Sequence, residues 1–187
     1  MINPFRIGTK VYLRPLDRED APRLQTWIND PEVTRTLAFY RPANRTFEEE
    51  FIATVNQSEH DVVLGIAIKQ TDVLIGATGL HQIDFKNRHA NFGINIGDKT
   101  QWGNGYGTEA TYLMVQYGFE TLNLNRVQLL VYENNARARR AYEKVGFTPE
   151  GVLRQDRFHE GRYWDTITMA ILREEWEAMR KGEGTTA

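Results

Sequence analysis

The sequence predicts a mixed α/β fold, in which helices flank one mostly antiparallel sheet with a βαβ unit at its centre. Three observations predict it. Runs of alternating apolar and polar residues, typical of strands, precede a glycine-rich loop. A segment with the apolar spacing of a helix follows this loop, and then a strand and a second helix. The last two strand-like segments have the pattern of a hairpin. The length of 187 residues is that of one domain. We therefore expect one domain over 1–187, with a core from about 10 to 172 and a frayed tail over 181–187.

The first sixty residues predict one strand and two helices. Polar and apolar side chains alternate over Lys10 to Arg14, as they do in a strand. The helix that follows is expected to be capped by Asp20 and to end at Asp30-Pro31, because Pro disfavours helical backbone in the residue before it. A second helix is expected to begin at Thr46, where Thr46-Phe47-Glu48-Glu49 has the pattern of a capping box. Thr34 to Asn44, between the two helices, is expected to be a loop or a short helix.

Three strands of an antiparallel meander are expected next, over Val62 to Lys69, Val73 to His81 and Ala90 to Gly97. In the third strand, apolar residues alternate with Asn and Gly, so that one face is apolar and the other has almost no bulk. Two glycines in this strand predict either a bulge or the close approach of another molecule to its backbone.

The second half of the chain completes the predicted fold. The spacing of apolar residues becomes helical from Thr108, and a strand over Arg126 to Tyr132 and a helix that ends at Gly146 follow. Leu153 to Phe158 and Arg162 to Leu172 then predict a hairpin.

The composition excludes several classes of enzyme. The chain has no Cys, which excludes disulfides, thiolate metal sites and cysteine nucleophiles. Its single Ser, Ser58, lies in a polar stretch without the Gly-x-Ser-x-Gly pattern of a serine hydrolase. The four His residues show no metal-ligand spacing, so no metal is expected.

Charge and hydropathy indicate a soluble protein. The formal net charge is -2 and the basic residues are scattered, so no nucleic-acid partner is expected. The longest apolar run, Val62 to Ile68, is far shorter than the roughly 20 residues that span a bilayer. The N-terminus has no signal-peptide pattern. We therefore expect a cytoplasmic protein with no membrane partner.

The segment from Gln101 to Glu109 places three glycines at alternate positions ahead of a helix. The backbone N–H groups of such a loop bind an anion with the help of the helix N-terminus, so a phosphate compound is expected; a tight turn without a ligand is the alternative. A P-loop is disfavoured, because Thr108-Glu109 and not Lys follows Gly107. A dinucleotide fingerprint is disfavoured as well, because the spacing is Gly-x-Gly-x-Gly and antiparallel strands precede it.

Two motifs resemble the GNAT superfamily of acetyl-coenzyme A-dependent N-acetyltransferases. Trp102-Gly103-Asn104-Gly105-Tyr106-Gly107 is similar to the family's pyrophosphate loop, Gln/Arg-x-x-Gly-x-Gly/Ala, except that Trp102 stands in the Gln/Arg place. This departure is similar to the branch of the ribosomal-protein N-terminal alanine acetyltransferases and spermidine acetyltransferases. Asn135 to Phe147 is similar to the family's Asn-x-x-Ala-x-x-x-Tyr-x-Lys-x-Gly-Phe. The resemblance covers about Lys10 to Leu172 and implies a sheet of six to seven strands with a central splayed strand pair.

The resemblance implies acetyl-CoA as co-substrate. The loop amides are expected to hold its pyrophosphate, and the free edge of the Ala90 to Gly97 strand its pantetheine, which would explain the missing side chains of Gly93 and Gly97. An N–H near Ile94 to Ile96 is expected to face the thioester oxygen. The residues expected to bind the coenzyme are Ile94, Asn95, Ile96, Trp102, Gly103, Asn104, Gly105, Tyr106, Gly107, Thr108, Asn135, Ala138 and Tyr142. For Asn135, helix capping is an equally good role.

Tyr142 is the expected general acid, because the motif match places its hydroxyl near the sulfur; its helical spacing alone would indicate a core residue. No general base is assigned. Many relatives carry Glu where this chain has Asn91, which can orient a water molecule and cannot take a proton. The candidate bases are His81 and Asp84 and, with less support, His89 and Glu133.

The missing strong base favours an α-amine or another amine of low pKa as acceptor, because about a tenth of an α-amine is neutral at pH 7. Spermidine-specific relatives carry acidic residues in the region of Leu37 to Pro42, where this chain has Phe39-Tyr40-Arg41, and this argues against a polycation. The residues expected to line the acceptor pocket are Phe39, Tyr40, Tyr163 and Trp164.

The function that follows is acetyl transfer from acetyl-CoA to a primary amine, either a protein N-terminal α-amine or a small-molecule amine, by direct attack in a ternary complex. A catalytically weak acyl-CoA-binding sensor is the alternative, and a larger acyl donor such as succinyl-CoA stays open. A monomer and a homodimer are both compatible with the sequence.

Overall fold

A single sheet runs through the protein, and the computed structural model describes it over residues 1–183. In these residues the sheet has eight strands, β1 to β8, which in chain order are Arg6–Ile7, Val11–Pro15, Val62–Ile68, Leu74–Asp84, His89–Ile96, Arg126–Tyr132, Thr148–His159 and Arg162–Leu172. The helices α1 to α6 are Ala21–Ile28, Pro31–Thr34, Arg45–Gln57, Tyr106–Glu120, Ala136–Val145 and Arg173–Glu183. No helix in this part of the chain is both long and apolar enough to cross a bilayer.

The strand order is β1-β2-β3-β4-β5-β6-β8-β7, and every neighbouring pair is antiparallel except β5 and β6. These two parallel strands are joined through α4, which makes the predicted βαβ unit. They pair only from His89 to Asn91 on β5 and from Arg126 to Gln128 on β6. Beyond this point β5 is paired with β4 alone and β6 with β8 alone. The splayed central strand pair is therefore confirmed.

Helices cover the sheet on both faces and so divide the core in two. On one face α4, α5 and α6 pack against the sheet, with Met114, Tyr142 and Trp176 in the larger cluster of buried residues. On the other face α1 and α3 contribute Trp27 and Ile52 to a smaller cluster. The cleft described below opens between these two layers, where the central strands part.

Two helix caps differ from the prediction. Asp20 is the N-cap residue of α1, as predicted, but its side chain makes no capping hydrogen bond, because its carboxylate accepts two hydrogen bonds of 2.8 Å from the guanidinium of Arg14, a buried cation that requires a counter-charge. The helix expected from Thr46 begins at Arg45, and its cap is Asn44, whose side chain accepts from the Phe47 N–H at 2.8 Å. The predicted capping box was therefore wrong.

Two further differences concern the number of strands and the C-terminus. The six to seven expected strands are eight because the two-residue β1 pairs with β2, which no alternation over two residues can reveal. The last helix, α6, was not predicted, and it includes residues 181–183, which were expected to fray. The rest of the expected tail, 184–187, lies outside the described residues.

Candidate active site

A cleft of about 840 Å³ opens where β5 and β6 separate. Its walls come from both strands, from the glycine-rich loop and α4, from α5, and from the residues that follow α2. The predicted site residues that border it are Asn91, Ile94, Asn95, Ile96, Trp102, Gly103, Gly105, Tyr106, Gly107, Thr108, Asn135, Ala138 and Tyr142. The predicted site residues that do not border it are Asn104, His81, Asp84, Phe39, Tyr40, Tyr163 and Trp164.

The glycine-rich loop presents the N-terminus of α4 to the cleft. Gly103 and Gly105 have φ angles of +84° and +82°, a region that side chains other than glycine enter only with strain. Gly105 is also the N-cap residue, and no side chain caps the helix. The first N–H groups of a helix have no partner within it, so those of α4 are left for a ligand.

Glu109 fixes the position of this helix start. Its carboxylate accepts hydrogen bonds from the backbone N–H groups of Thr9, Lys10 and Val11, at 2.5, 2.9 and 3.0 Å. Burial alone would raise the pKa of Glu109, but these hydrogen bonds hold it below its ordinary value. Lys10 also donates from Nζ to the Asn104 carbonyl at 3.2 Å. The turn between β1 and β2 therefore braces the loop from the side away from the cleft.

Trp102 holds a cation over the loop. Its Nε1 donates to the Ile96 carbonyl at 2.7 Å, and the guanidinium carbon of Arg137 lies 4.0 Å from the centre of its ring. Burial lowers the pKa of Arg137 while Glu32 raises it, and an arginine remains charged at neutral pH throughout such shifts. Arg137 was not predicted as a site residue, because the motif that includes it specifies Asn135, Ala138 and Tyr142 and leaves position 137 open.

Tyr142 is buried at the wall of the cleft. Its ring is perpendicular to that of Phe92 at 6.0 Å and tilted against that of Phe147 at the same distance. Among the described residues, none forms a hydrogen bond with its hydroxyl. Burial raises the pKa of Tyr142 to about 12, so the hydroxyl keeps its proton at neutral pH. The side chain thus combines the packing of a core residue with a protonated group that faces the cleft.

Asn135 and Gly97 have structural roles. The Asn135 side chain accepts from the Ala138 N–H at 3.1 Å and so caps α5, which was one of its two expected roles. A Cβ on Gly97 would lie 2.1 Å from the ring of Trp27, so the missing side chain makes room for α1 and not for a ligand. The explanation of Gly97 by pantetheine was therefore wrong.

A chain of side-chain amides crosses the three central strands at the point where they part. Asn91 donates from Nδ2 to Gln82 Oε1 at 2.6 Å, and Gln128 donates from Nε2 to Asn91 Oδ1 at 2.8 Å. All three residues border the cleft. Both ends of the Asn91 amide are therefore engaged with protein, which leaves it less free to orient a water molecule. Gln82 and Gln128 were not predicted, although a polar residue within a strand such as β6 is a signal that could have found Gln128.

The expected base candidates have different surroundings. The carboxylate of Asp84 accepts from the backbone N–H and the side-chain amide of Asn87, at 2.8 and 2.7 Å, which closes the turn before β5 and lowers its pKa. His89 lies 3.8 Å from Asp84. Neither these two residues nor Glu133 borders the cleft. His81 instead lies beside Gly93, a residue of the cleft wall.

The four aromatic residues expected to line the acceptor pocket lie elsewhere. Tyr40 is 84% exposed, and Phe39 packs against Phe47. Tyr163 is 61% exposed and packs against Phe158. Trp164 donates from Nε1 to the His159 carbonyl at 3.1 Å. The side of the cleft nearest α2 is instead formed by Val33, Thr36, Leu37 and Ala38.

The cleft carries positive charge. Its charged lining residues are Arg137, Arg140 and Lys144, and no Asp or Glu of the described chain borders it. Residues 1–183 contain no group of His, Asp and Glu side chains that could hold a metal ion. These walls suit a ligand whose anionic part lies near the three cations and whose remaining part lies along the edge of β5.

Comparison with known proteins decides the family. The family model of the acetyltransferase (GNAT) domain matches residues 10–148. The chain belongs to the GNAT family. This GNAT protein is 33% identical over 183 residues to the spermidine N(1)-acetyltransferase of Escherichia coli, which covers 94% of this chain and 93% of that protein. It is 29% identical over 177 residues to the putative ribosomal N-acetyltransferase YdaF of Bacillus subtilis, which covers 92% of this chain and 96% of that protein.

A solved structure agrees with this assignment. The crystal structure of spermidine N-acetyltransferase from Vibrio cholerae in complex with CoA and spermine has a TM-score of 0.83 and 27% sequence identity to this chain. The match covers 91% of this chain and 99% of that one. The protein is therefore a GNAT N-acetyltransferase with acetyl-CoA as its co-substrate, and it transfers an acetyl group to an amine.

Proposed function

We propose that the protein acetylates a primary amine of low pKa, such as a peptide N-terminal α-amine or a small-molecule amine that is not a polycation, by direct attack in a ternary complex. The observation that carries this proposal is the set of charges on the cleft walls, which are three cations and, among the described residues, no carboxylate. The alternative, a catalytically weak acyl-CoA sensor, is one outcome of the experiment below.

The two sides of the cleft suit two different ligands. The glycine-rich loop, the α4 N-terminus and Arg137 form an anion site suited to the coenzyme pyrophosphate. Between this site and the amide chain, the unpaired edge of β5 from Gly93 to Ile96 offers backbone N–H and C=O groups to the pantetheine arm. The α2 side of the cleft is left for the amine.

Tyr142 is suited to supply the proton that the departing thiolate needs. Its hydroxyl stays protonated because burial raises its pKa to about 12. Complete transfer to a free thiolate of pKa about 8.5 would be uphill by roughly 5 kcal/mol. The proton is therefore expected to move in concert with cleavage of the C–S bond, so that formation of the stable amide offsets the unfavourable proton transfer.

The acceptor class follows from charge and from proton availability. On the α2 side of the cleft, a spermidine-like cation would find no lining carboxylate among the described residues to pair with its remaining ammonium groups. At pH 7 about a tenth of an α-amine is neutral, against well under a thousandth of a lysine-like amine. A site without a carboxylate base is therefore better matched to the α-amine.

The test is a panel of acceptors assayed by thiol release from acetyl-CoA, with Ala- and Ser-initiated peptides, amino acids, aminoglycosides and spermidine. We expect kcat/KM for the best α-amine to exceed that for spermidine by at least about tenfold, as a loss of one ion-pair partner implies. Intersecting initial-velocity plots would support a ternary complex, whereas parallel plots would contradict it. A preference for spermidine would overturn the assignment of the acceptor, and acetyl-CoA binding without release to any amine would favour the sensor.

A further inference from the structure

His81 lies on the acceptor side of the sheet next to the point where the strands part. The register of β4 against β5 pairs His81 with Asn91 and Gly79 with Gly93, which puts these four residues on one face. Gly93 and Asn91 border the cleft. From the sequence, His81 was only one of several candidate bases, because the pairing of β4 with β5 that brings it beside the cleft cannot be read from local sequence.

The imidazole of His81 lies against two glycines. A Cβ on Gly79 would lie 2.9 Å from His81 Nε2, and a Cβ on Gly93 would lie 3.4 Å from the same atom. A side chain at Gly79 would therefore crowd the ring, whereas a methyl group at Gly93 would meet it at an ordinary van der Waals distance. His81 Nε2 therefore lies over the backbone of β5 at Gly93, in the segment beyond Asn91 that is not paired with β6.

The other ring nitrogen is held by a carboxylate. His81 Nδ1 lies 3.3 Å from Asp61 Oδ1, and Asp61 also accepts from Ser58 Oγ at 2.8 Å and from the Gln82 N–H at 3.2 Å. Burial alone would raise the pKa of Asp61, but these hydrogen bonds hold it below its ordinary value, so it is ionised at neutral pH. An ionised carboxylate accepts the proton of Nδ1, which leaves the lone pair of Nε2 free on the side of Gly93.

The charged surroundings of His81 are simple. Among the described residues, Asp61 is the one charged side chain paired with it. Asp84 and His89 pair with each other, and His60 turns its Nδ1 to the Ile83 carbonyl at 2.8 Å. The neighbouring strand β5 presents Asn91 and Gly93 on this face, neither of which is charged.

We propose that His81 is the base that removes a proton from the acceptor ammonium, directly or through one water molecule, and that Asp61 is its positioning residue. This rests on the proposed function. The ammonium N–H bond breaks and the proton passes to Nε2, after which the neutral amine attacks the thioester carbon and forms the C–N bond. The C–S bond breaks and the thiolate takes the proton of Tyr142. The attacking nitrogen then loses a second N–H proton, and this proton returns to the Tyr142 oxygen through solvent. His81, 39% exposed, returns its proton to water, so that one proton is released in each turnover.

The pH dependence of activity separates a base from a structural residue. We expect His81→Gln to lower kcat/KM for the preferred α-amine by about 100-fold near pH 6.5, the usual range for a lost general base. Above about pH 9 the amine is already neutral, so the deficit should shrink to a few-fold. Asp61→Asn should show the same trend with a smaller loss, and acetyl-CoA affinity should not change in either variant. His60→Gln serves as the control and should match the wild type, because His60 lies next to Asp61 in the loop before β3 but turns its Nδ1 to the Ile83 carbonyl.

A loss that is equal at every pH, or no loss, would overturn the proposal, because a structural role does not depend on the ionisation of the amine. A second measurement needs no turnover. Long-range ¹H–¹⁵N NMR of the wild type should show neutral His81 with its proton on Nδ1, and Asp61→Asn should move the population towards Nε2–H. A wild type with Nε2–H would overturn the proposal. A wild type inactive towards every amine would overturn the proposed function instead, while the tautomer still tests the base.

Discussion

Arg137 stacks on Trp102, with its guanidinium carbon 4.0 Å from the centre of the indole ring. The indole is itself fixed, because its Nε1 donates to the Ile96 carbonyl at 2.7 Å. Trp102 occupies the loop position where most of the family has Gln or Arg. With Trp102 at this position, this end of the cleft still carries a cation, because α5 supplies the stacked guanidinium of Arg137.

We expect Arg137→Ala to raise the Kd of acetyl-CoA about tenfold, because it removes a cation that forms charge-assisted hydrogen bonds with a phosphate. Isothermal titration calorimetry measures this, and the salt dependence of Kd should weaken in parallel. Arg139→Ala is the matched control, because Arg139 pairs with Glu143 on the exposed side of α5 and does not border the cleft. An unchanged Kd in Arg137→Ala would show that the stacking serves packing alone.

Tyr142→Phe removes the hydroxyl and keeps the ring contacts with Phe92 and Phe147. We expect turnover to fall at least about tenfold, as the loss of a general acid does, while the Kd of acetyl-CoA and the melting temperature stay close to wild type. Tyr117→Phe is the control, because Tyr117 is also buried and has a pKa raised by burial but does not border the cleft. Wild-type turnover in Tyr142→Phe would exclude the hydroxyl as the proton source.

Gly97 and Gly107 should respond differently to a methyl group. A Cβ on Gly97 would lie 2.1 Å from Trp27, so Gly97→Ala is expected to destabilise the fold by about 3 kcal/mol, the upper end for overpacking. A Cβ on Gly107 meets the Ile96 side chain at an ordinary 3.6 Å and lines the cleft. Gly107→Ala should therefore leave stability close to wild type and weaken acetyl-CoA binding. Urea unfolding and calorimetry separate the two effects, and equal stabilities of the two variants would contradict this assignment.

The strands were predictable where local composition decides them, and the site was predictable where a motif does. Arg126 to Tyr132 has the same bounds in the sequence and in the structure, because it is rich in the aliphatic and aromatic residues that favour a strand. The glycine-rich loop was found because positive φ angles require glycine. The partners of Arg137, His81 and Asp20 were not predictable, because each is set by the register or packing of segments distant in sequence. Helix propensity likewise could not show that the carboxylate of Asp20 serves Arg14 and not its own helix.

The Arg14 and Asp20 pair should make stability depend on pH. Burial alone would raise the pKa of Asp20, but the hydrogen bonds from Arg14 and the Asp17 N–H hold it below its ordinary value of 3.8. Because the pKa is lower in the folded state than in the unfolded one, this stability is present above about pH 4 and is lost as the pH falls through the folded-state value.

Asp20→Asn should therefore destabilise the protein by about 3 kcal/mol at pH 7, because it leaves the buried guanidinium of Arg14 without a counter-charge. Near pH 3 the difference from wild type should be smaller, because Asp20 of the unfolded wild type, with its ordinary pKa of 3.8, takes up a proton that folded Asp20 resists. Asp17→Asn is the control, because Asp17 is 60% exposed and lies 4.0 Å from Arg14, and its effect should stay below about 0.5 kcal/mol. Urea unfolding at both pH values measures these differences. A loss of the same size at pH 7 and pH 3 would mean that the geometry of the Asp20 hydrogen bonds, and not its charge, stabilises the start of α1.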